Sequence, residues 1–284
     1  MHFIKQFILD TLTRFNLELR KTEGQRLDLY DETDRIDRPY YNVGAGSFFH
    51  PCWTNIDFVT GWYAGVQKNV VHHDLMSLAP LPIGTAQAKV IYTSHTVEHV
   101  SEAAVFKLLE EAYRCLKPGG VLRVTTGPDA DTDHAALMRG DADWFYWDKH
   151  HDRPGTYEDI CHKPQSSVPL EERWLHHVAS QLAPNDISPS DKKFTAPEIR
   201  ETLQRMPMKE ALDFFTGLCR FQPERPGNHI SWWNHEKLEA FVRRAGFTTV
   251  YRSGHMQSCC AIMRRSAQFD STHPQMSIYV EAIR

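Results

Sequence analysis

Between residues 40 and 126 five short runs read as strands, and the residues that end those runs constrain the fold more than any other feature of the chain. Tyr40-Tyr41-Asn42-Val43 ends at Gly44-Ala45-Gly46, whereas Thr54-Asn55-Ile56-Asp57 and Asn69-Val70-Val71-His72-His73-Asp74 each end on a carboxylate. Ala88-Lys89-Val90-Ile91-Tyr92-Thr93 runs into Ser94-His95, and the fifth run is Val121-Leu122-Arg123-Val124-Thr125-Thr126. Ser101 is placed to cap a helix whose Val105, Leu108, Leu109, Ala112 and Leu116 make one apolar stripe. Lys117-Pro118-Gly119-Gly120 is expected to stop that helix. Strands alternating with helices predict a parallel sheet with right-handed crossovers.

The flanking segments read differently. Phe3, Ile4, Phe7, Ile8, Leu12, Phe15 and Leu19 fall at helical spacing, so residues 1–38 are expected to form a helical arm. From 129 to 228 the alternation disappears and Trp, His, Asp and Pro dominate, which predicts a large, mostly helical insert. Residues 39–128 and 229–284 then make up the core. In its second part, Asn234 is a candidate N-cap for a helix carrying Leu238, Phe241 and Val242 that closes at Ala245-Gly246-Phe247. Two final strands, around Thr248 to Arg252 and Met276 to Ile283, are positioned to pair antiparallel at the sheet edge.

Charge narrows the partners. With 32 Lys+Arg against 36 Asp+Glu the formal charge is -4, so phosphate neutralisation cannot drive binding, and no nucleic-acid partner is expected. No apolar run reaches the ~20 residues of a membrane helix, and Met1 to Ile8 lacks a secretory layout. A cytoplasmic protein with no membrane partner is therefore expected. The six cysteines are scattered without a Cys-x-x-Cys pair and read as reduced packing thiols. Sixteen histidines are the unusual count. His72, His73, His95 and His99 fall near strand ends and His150 and His151 in the insert, where a proton or a metal would be handled.

Gly44 and Gly46 alone describe a structural turn as well as a ligand cradle, since the third glycine of a dinucleotide fingerprint is missing. Asp57 can be a ribose acceptor and Asp74 an adenine contact, but each acid alone is more often a helix cap or a solvated turn residue. Their succession says more. Asn42-Val43-Gly44-Ala45-Gly46, Trp53-Thr54-Asn55-Ile56-Asp57, His73-Asp74-Leu75 with Leu81-Pro82, Ser94-His95-Thr96-Val97-Glu98-His99, and Leu116 through Arg123 follow one another in order. That order resembles the class I S-adenosylmethionine-dependent methyltransferases of the type 11 kind. The resemblance covers roughly residues 40–128, and Ala245-Gly246-Phe247 with two final strands fits the family's C-terminal half.

The resemblance implies an α/β, Rossmann-like, seven-stranded methyltransferase sheet with helices on both faces and the last strand antiparallel, and S-adenosyl-L-methionine as cofactor. Under it Asn42 stands where the family usually has an acid, so its contact with the methionine amino group would be a neutral hydrogen bond. Gly44, Ala45 and Gly46 would face the methionine part, Asp57 the ribose, and Asp74 with Leu75 the adenine. Ser94 and His95 would emerge beside the sulfonium.

Methyl transfer is an in-line attack, so the protein aligns the partners and, for a hydroxyl acceptor, removes a proton. His95 is the first candidate base; the alternative is a histidine that orients its loop through a backbone hydrogen bond. In the insert, His150 and His151 are further candidate bases, and Trp144, Trp147 and Asp148 candidate substrate contacts, although such an aromatic run more often makes core than pocket. Trp232 and Trp233 are placed to close the other side, and His176-His177 reads as packing. His95-x-x-Glu98-His99 also resembles the Glu-x-x-Glu-His segment of metal-dependent members, with His95 in place of the first Glu. Three ligands on one helical face would converge there, or Glu98 and His99 simply fix the helix start.

The expected activity is O-methylation of a small or glycan-like polar acceptor, a small molecule or a saccharide. The ending from Phe269 to Ala282 resembles methyltransferases of surface-polysaccharide and sugar pathways. Two alternatives stand beside it: a non-catalytic, methyltransferase-like binding scaffold, and a divalent-metal-dependent methyltransferase using His95, Glu98 and His99.

Overall fold

The parity of apolar residues along each strand decides which side of the sheet it packs, and in the computed structural model this produces two unlike faces. The structure describes residues 27–61, 69–145, 163–164, 167–185, 188, 190–264 and 268–284. The expected arm helix over residues 3–19 lies outside them, as do Trp147, Asp148, His150, His151 and Cys161.

Seven strands form one sheet: β1 (Tyr40–Val43), β2 (Trp53–Asp57), β3 (Val70–His72), β4 (Ala88–Ser94), β5 (Leu116–Thr126), β6 (Thr249–Arg252) and β7 (Ile278–Ile283). Their order is β3-β2-β1-β4-β5-β7-β6. The pairs from β3 to β5 are parallel, and β7 is antiparallel to both β5 and β6. The two final strands do pair with each other, but β7 lies inside the sheet and only β6 is at the edge.

The helix expected from Ser101 is present as Glu102–Cys115, with the Ser101 hydroxyl accepting from the Ala104 amide. Two expectations need correction. The Pro-Gly-Gly stop ends that helix without a separating loop: β5 starts at Leu116, paired with Ala88, rather than at Val121. Gly119 N donates to the Arg284 carbonyl and Arg284 N to Gly120, so this breaker segment is stitched to the chain's other end. The strand–helix alternation is also incomplete, since neither the β1–β2 nor the β3–β4 connection carries an α-helix. Both are short enough to turn back by bends and 3-10 turns.

The helices are α1 (Glu32–Asp37), α2 (Glu102–Cys115), α3 (Ala130–Arg139), α4 (Leu170–Val178), α5 (Ala196–Arg205), α6 (Met208–Gly217) and α7 (His235–Arg244). On one face, Val43, Ile56, Ile91 and Leu122 pack against Val105, Leu108 and Leu109 of α2 and Leu238 and Val242 of α7. The opposite face presents Tyr40, Trp53, Val90 and Tyr92, covered by Tyr30, Ile262, Met263 and Phe269. Its rings meet edge-on or tilted, as aromatic quadrupoles prefer. Helices α3 to α6 build a separate core on Trp174, Leu175, Ile199, Leu212 and Phe215.

Arg123 of β5 is fully buried between the aromatic face and β7. Its five N–H donors are all used: Asp270 takes two, Glu281 and the Ser253 hydroxyl take one each, and the Gly254 carbonyl takes the last.

Two histidines of these cores predict acid sensitivity. Burial pushes His50 down to about 4 and His176 to about 3. The folded state therefore refuses protons that an unfolded imidazole accepts near pH 6.5, and stability falls as pH falls from there. At about 1.4 kcal/mol per histidine per pH unit, urea midpoints measured at pH 7 and 4.5 should report a loss of about 5 kcal/mol. A flat profile over that range would remove both from the neutral buried state.

Candidate active site

The glycine turn after β1 is shaped by contact with the turn after β4. Gly44 has φ +71°, and a β-carbon there would lie 2.0 Å from the Thr96 hydroxyl oxygen, so no side chain fits. Its amide donates to the Ile56 carbonyl, which pins the turn to β2. Gly46 has φ +53° with open space where a side chain would project, and its amide donates to Asp57 Oδ2 at 2.7 Å. Asp57 Oδ1 accepts from the Phe58 amide, so one carboxylate at the end of β2 organises both loops. Asp74 caps the short turn after β3, accepting from the Met76 amide at 2.8 Å.

These groups line one cavity of about 650 Å³ at the carboxyl ends of β1 to β4, a size typical of small-molecule sites. Asn42, Gly44, Ala45, Gly46, Asp57, Asp74, Leu75, Ser94 and His95 all reach it, as does His99. The cavity wall also includes Phe48, Met76, Thr96, Phe221, Gln268 and Thr272, none of which the sequence singled out for a cofactor or acceptor. Only Thr96 stood inside one of the strand-end motifs, and Thr272 inside the ending from Phe269 to Ala282. The others come from segments whose approach depends on the tertiary fold.

His95 has a left-handed backbone, φ +50°, and its amide donates to the Thr125 carbonyl of β5. That conformation swings the imidazole between two partners. Nδ1 lies 3.0 Å from Glu98 Oε1, and Nε2 lies 2.8 Å from the Ser277 hydroxyl. Glu98 is 2% exposed, and its Oε2 accepts from the Thr126 hydroxyl at 2.7 Å. Burial works against the Glu98 charge, but the contact with His95 and the neighbouring imidazoles outweigh it and hold the carboxyl below its ordinary range. The expected helical face does not form: Val97–His99 is a 3-10 turn, and the donor atoms that gather within 4.8 Å of one another are those of Glu98, His99 and His229. His229 was not anticipated as their partner.

The insert residues lie elsewhere. Trp144 donates from its indole nitrogen to Asp133 Oδ1 at 2.6 Å and packs on the α3–α6 core, outside the cavity lining. Trp232 and Trp233 are likewise buried, bonded to Asp213 and to the Val97 carbonyl. His177, one of the expected packing residues, is buried against Asp133.

Residues 52–124, which span β2 to β5 with the glycine turn just ahead of them, match the family described as a methyltransferase domain. Over that stretch, about a quarter of its length, the chain is similar to methyltransferases. The sheet has the seven strands and the antiparallel last strand that the resemblance implied. No curated protein sequence matches the chain. Solved structures similar to it include an S-adenosylmethionine-dependent methyltransferase from Archaeoglobus fulgidus, 12% identical, with 98% of this chain and 100% of that one covered and a TM-score of 0.39. One from Aquifex aeolicus is 11% identical, covering 92% and 93%, with a TM-score of 0.35. The methyltransferase SibL in its apo form is 14% identical over 92% of this chain, with a TM-score of 0.37; this chain spans 54% of SibL.

S-adenosylmethionine is the cofactor that the resemblance implies, and the cavity suits it on a direct observation. The Asn42 side-chain oxygen is buried and has no hydrogen-bond partner among the described residues, although Asn42 lines the cavity beside Gly44. An orphaned buried acceptor is costly unless a ligand donor completes it, and an ammonium group is such a donor. No described helix is long and apolar enough to cross a membrane.

Proposed function

We propose that the methyltransferase acts at an oxygen of a small or glycan-like polar acceptor, a small molecule or a saccharide, with His95 as general base. The observation that carries this reading is the clamp on His95, which faces the cavity with a carboxylate on one nitrogen and a hydroxyl on the other. Facing Glu98, Nδ1 keeps its proton, which leaves Nε2 as the basic nitrogen. The Ser277 hydroxyl donates to Nε2 while the ring is neutral. When the hydroxyl turns to the His273 carbonyl, 2.8 Å away, the Nε2 lone pair is free to take the acceptor's proton, and the hydroxyl oxygen can then accept from the protonated ring. The Ser277 hydroxyl thus serves both protonation states, a property suited to a base that cycles.

S-adenosylmethionine, when bound, supplies a methyl group already activated by the sulfonium. The chain's share is to hold and align. Asn42 would take the amino group, Gly44 to Gly46 would admit the methionine part, and Asp57 would take the ribose hydroxyls. Asp74 with Leu75 would edge the adenine, and Ser94 would stand beside His95. Gln268, Ser271 and Thr272 beside the rings of Phe48 and Phe221 offer hydrogen bonds next to apolar surface, a pairing suited to a hydroxyl-rich acceptor. Incubation with methyl-labelled cofactor and a panel of sugars, alcohols, phenols and amines, read by mass spectrometry and NMR, tests the reading. A labelled methyl ether is expected; label confined to nitrogen or carbon would overturn it.

A further inference from the structure

The segment that follows the insert is fastened to the turn after β4 by its backbone. Ile230 N and Ser231 N both donate to the Glu98 carbonyl, at 2.9 and 3.2 Å. The Ser231 hydroxyl and the Trp233 indole N–H donate to the Val97 carbonyl, at 2.9 and 3.2 Å. This pairing sets His229 against His99, with ring centroids 4.8 Å apart.

Each of these imidazoles is held in one tautomer by a backbone carbonyl. His99 Nδ1 lies 3.2 Å from the Asn228 oxygen, and His229 Nδ1 lies 2.5 Å from the His177 oxygen. A carbonyl only accepts, so both Nδ1 atoms carry the proton and both Nε2 atoms present a lone pair. His99 Nε2 is 3.9 Å from Glu98 Oε1, and Glu98, His99 and His229 each offer one ligand atom within 4.8 Å of the others'. Glu98 Oε1 is buried and receives no well-aligned hydrogen bond among the described residues, although His95 Nδ1 approaches it at 3.0 Å. Two lone pairs and a carboxylate oxygen without a proton among them have nothing to offer one another. A cation satisfies all three.

We infer that Glu98, His99 and His229 form a site for one divalent cation of the zinc or manganese class. Two imidazoles and one carboxylate favour such ions over magnesium or calcium, which take oxygen donors. With bonds of about 2.0–2.2 Å the donors need to close by roughly 1 Å, a rotation within reach of side chains. The surrounding contacts are those that metal ligands ordinarily have: each imidazole donates its other N–H to a carbonyl, and the carboxylate is held by Thr126 and faced by His95. His95 is thus an outer partner of the carboxylate and not a ligand, with its Nε2 engaged by Ser277. The cation would join the turn after β4 to the segment that leaves the insert, and this inference stands independently of the acceptor and of the role of His95.

The test uses the full chain, stripped with chelator and dialysed, then titrated with Zn2+, Mn2+, Mg2+ and Ca2+ by calorimetry and thermal unfolding. One saturable equivalent of Zn2+ or Mn2+ with a rise in Tm is expected, with Mg2+ and Ca2+ at least tenfold weaker. His229→Ala and His99→Gln should each weaken that binding by 100-fold or more, and Co2+ should give a visible absorption band in the native protein that both variants lose. S-adenosylhomocysteine binding, measured on the same samples, reports whether each variant is folded. The inference falls if native protein shows no saturable Zn2+ or Mn2+ binding, or if both variants bind as the native protein does.

Discussion

Replacing His95 with alanine is expected to lower kcat by roughly 100- to 10,000-fold, the range over which a positioned base contributes, while S-adenosylhomocysteine binding stays nearly unchanged. The separation follows from geometry. The cofactor contacts proposed for Asn42, Gly44 to Gly46, Asp57 and Asp74 rest on β1 to β3, where Asp57 accepts from the Gly46 and Phe58 amides and Asp74 from the Met76 amide. The ring's partners are Glu98 and Ser277. His95→Gly is the companion variant, because glycine adopts φ +50° without the steric cost that alanine keeps. If both variants bind the cofactor product and neither turns over, loss of the base explains the result and loss of the fold does not. Full activity in either one would leave His95 as a loop-orienting residue and nothing more.

Arg123→Met is expected to cost about 3–5 kcal/mol of folding stability, because it leaves Asp270 and Glu281 buried with no cation between them. For a chain of this size that corresponds to a fall in Tm on the order of 10 °C. The effect should reach the cavity as well. Gln268, Ser271 and Thr272 line it from the segment that Asp270 anchors to Arg123, so cofactor affinity should decline alongside stability. Thermal unfolding at pH 7 with a product titration checks both; a change below about 1 kcal/mol would mean that the network relaxes without its cation. The triple replacement of Arg123, Asp270 and Glu281 by apolar residues should recover much of the loss, since desolvated charges and not the fold's shape carry the penalty.

The strand ends were legible because a short local pattern encodes them. Gly44 and Gly46, Asp57, Asp74 and Ser94 each sit within a residue or two of a strand terminus, and parallel order alone brings those termini to one edge. His229 and Ser277 were not legible in their roles. They reach His99 and His95 across 130 and 182 positions of sequence, through backbone pairing that no local pattern announces. Trp144 illustrates the converse. An aromatic run beside acids and histidines more often makes core than pocket, and the indole's hydrogen bond to buried Asp133 decided for core. The start of β5 was misjudged because Pro118, Gly119 and Gly120 signal a break; the backbone there pairs instead with Arg284.

The place of β7 inside the sheet sets a schedule for biosynthesis. The free edge of β5 and the guanidinium of Arg123 both emerge long before their partners, since Glu281 follows Arg123 by 158 positions. At about 5–20 residues per second a ribosome needs roughly 8–30 s to close that gap. During that interval the nascent chain holds an unpaired strand edge and an uncompensated cation, so it depends on the exit tunnel's surroundings, or on a chaperone, until its final strand slots between two that are already waiting.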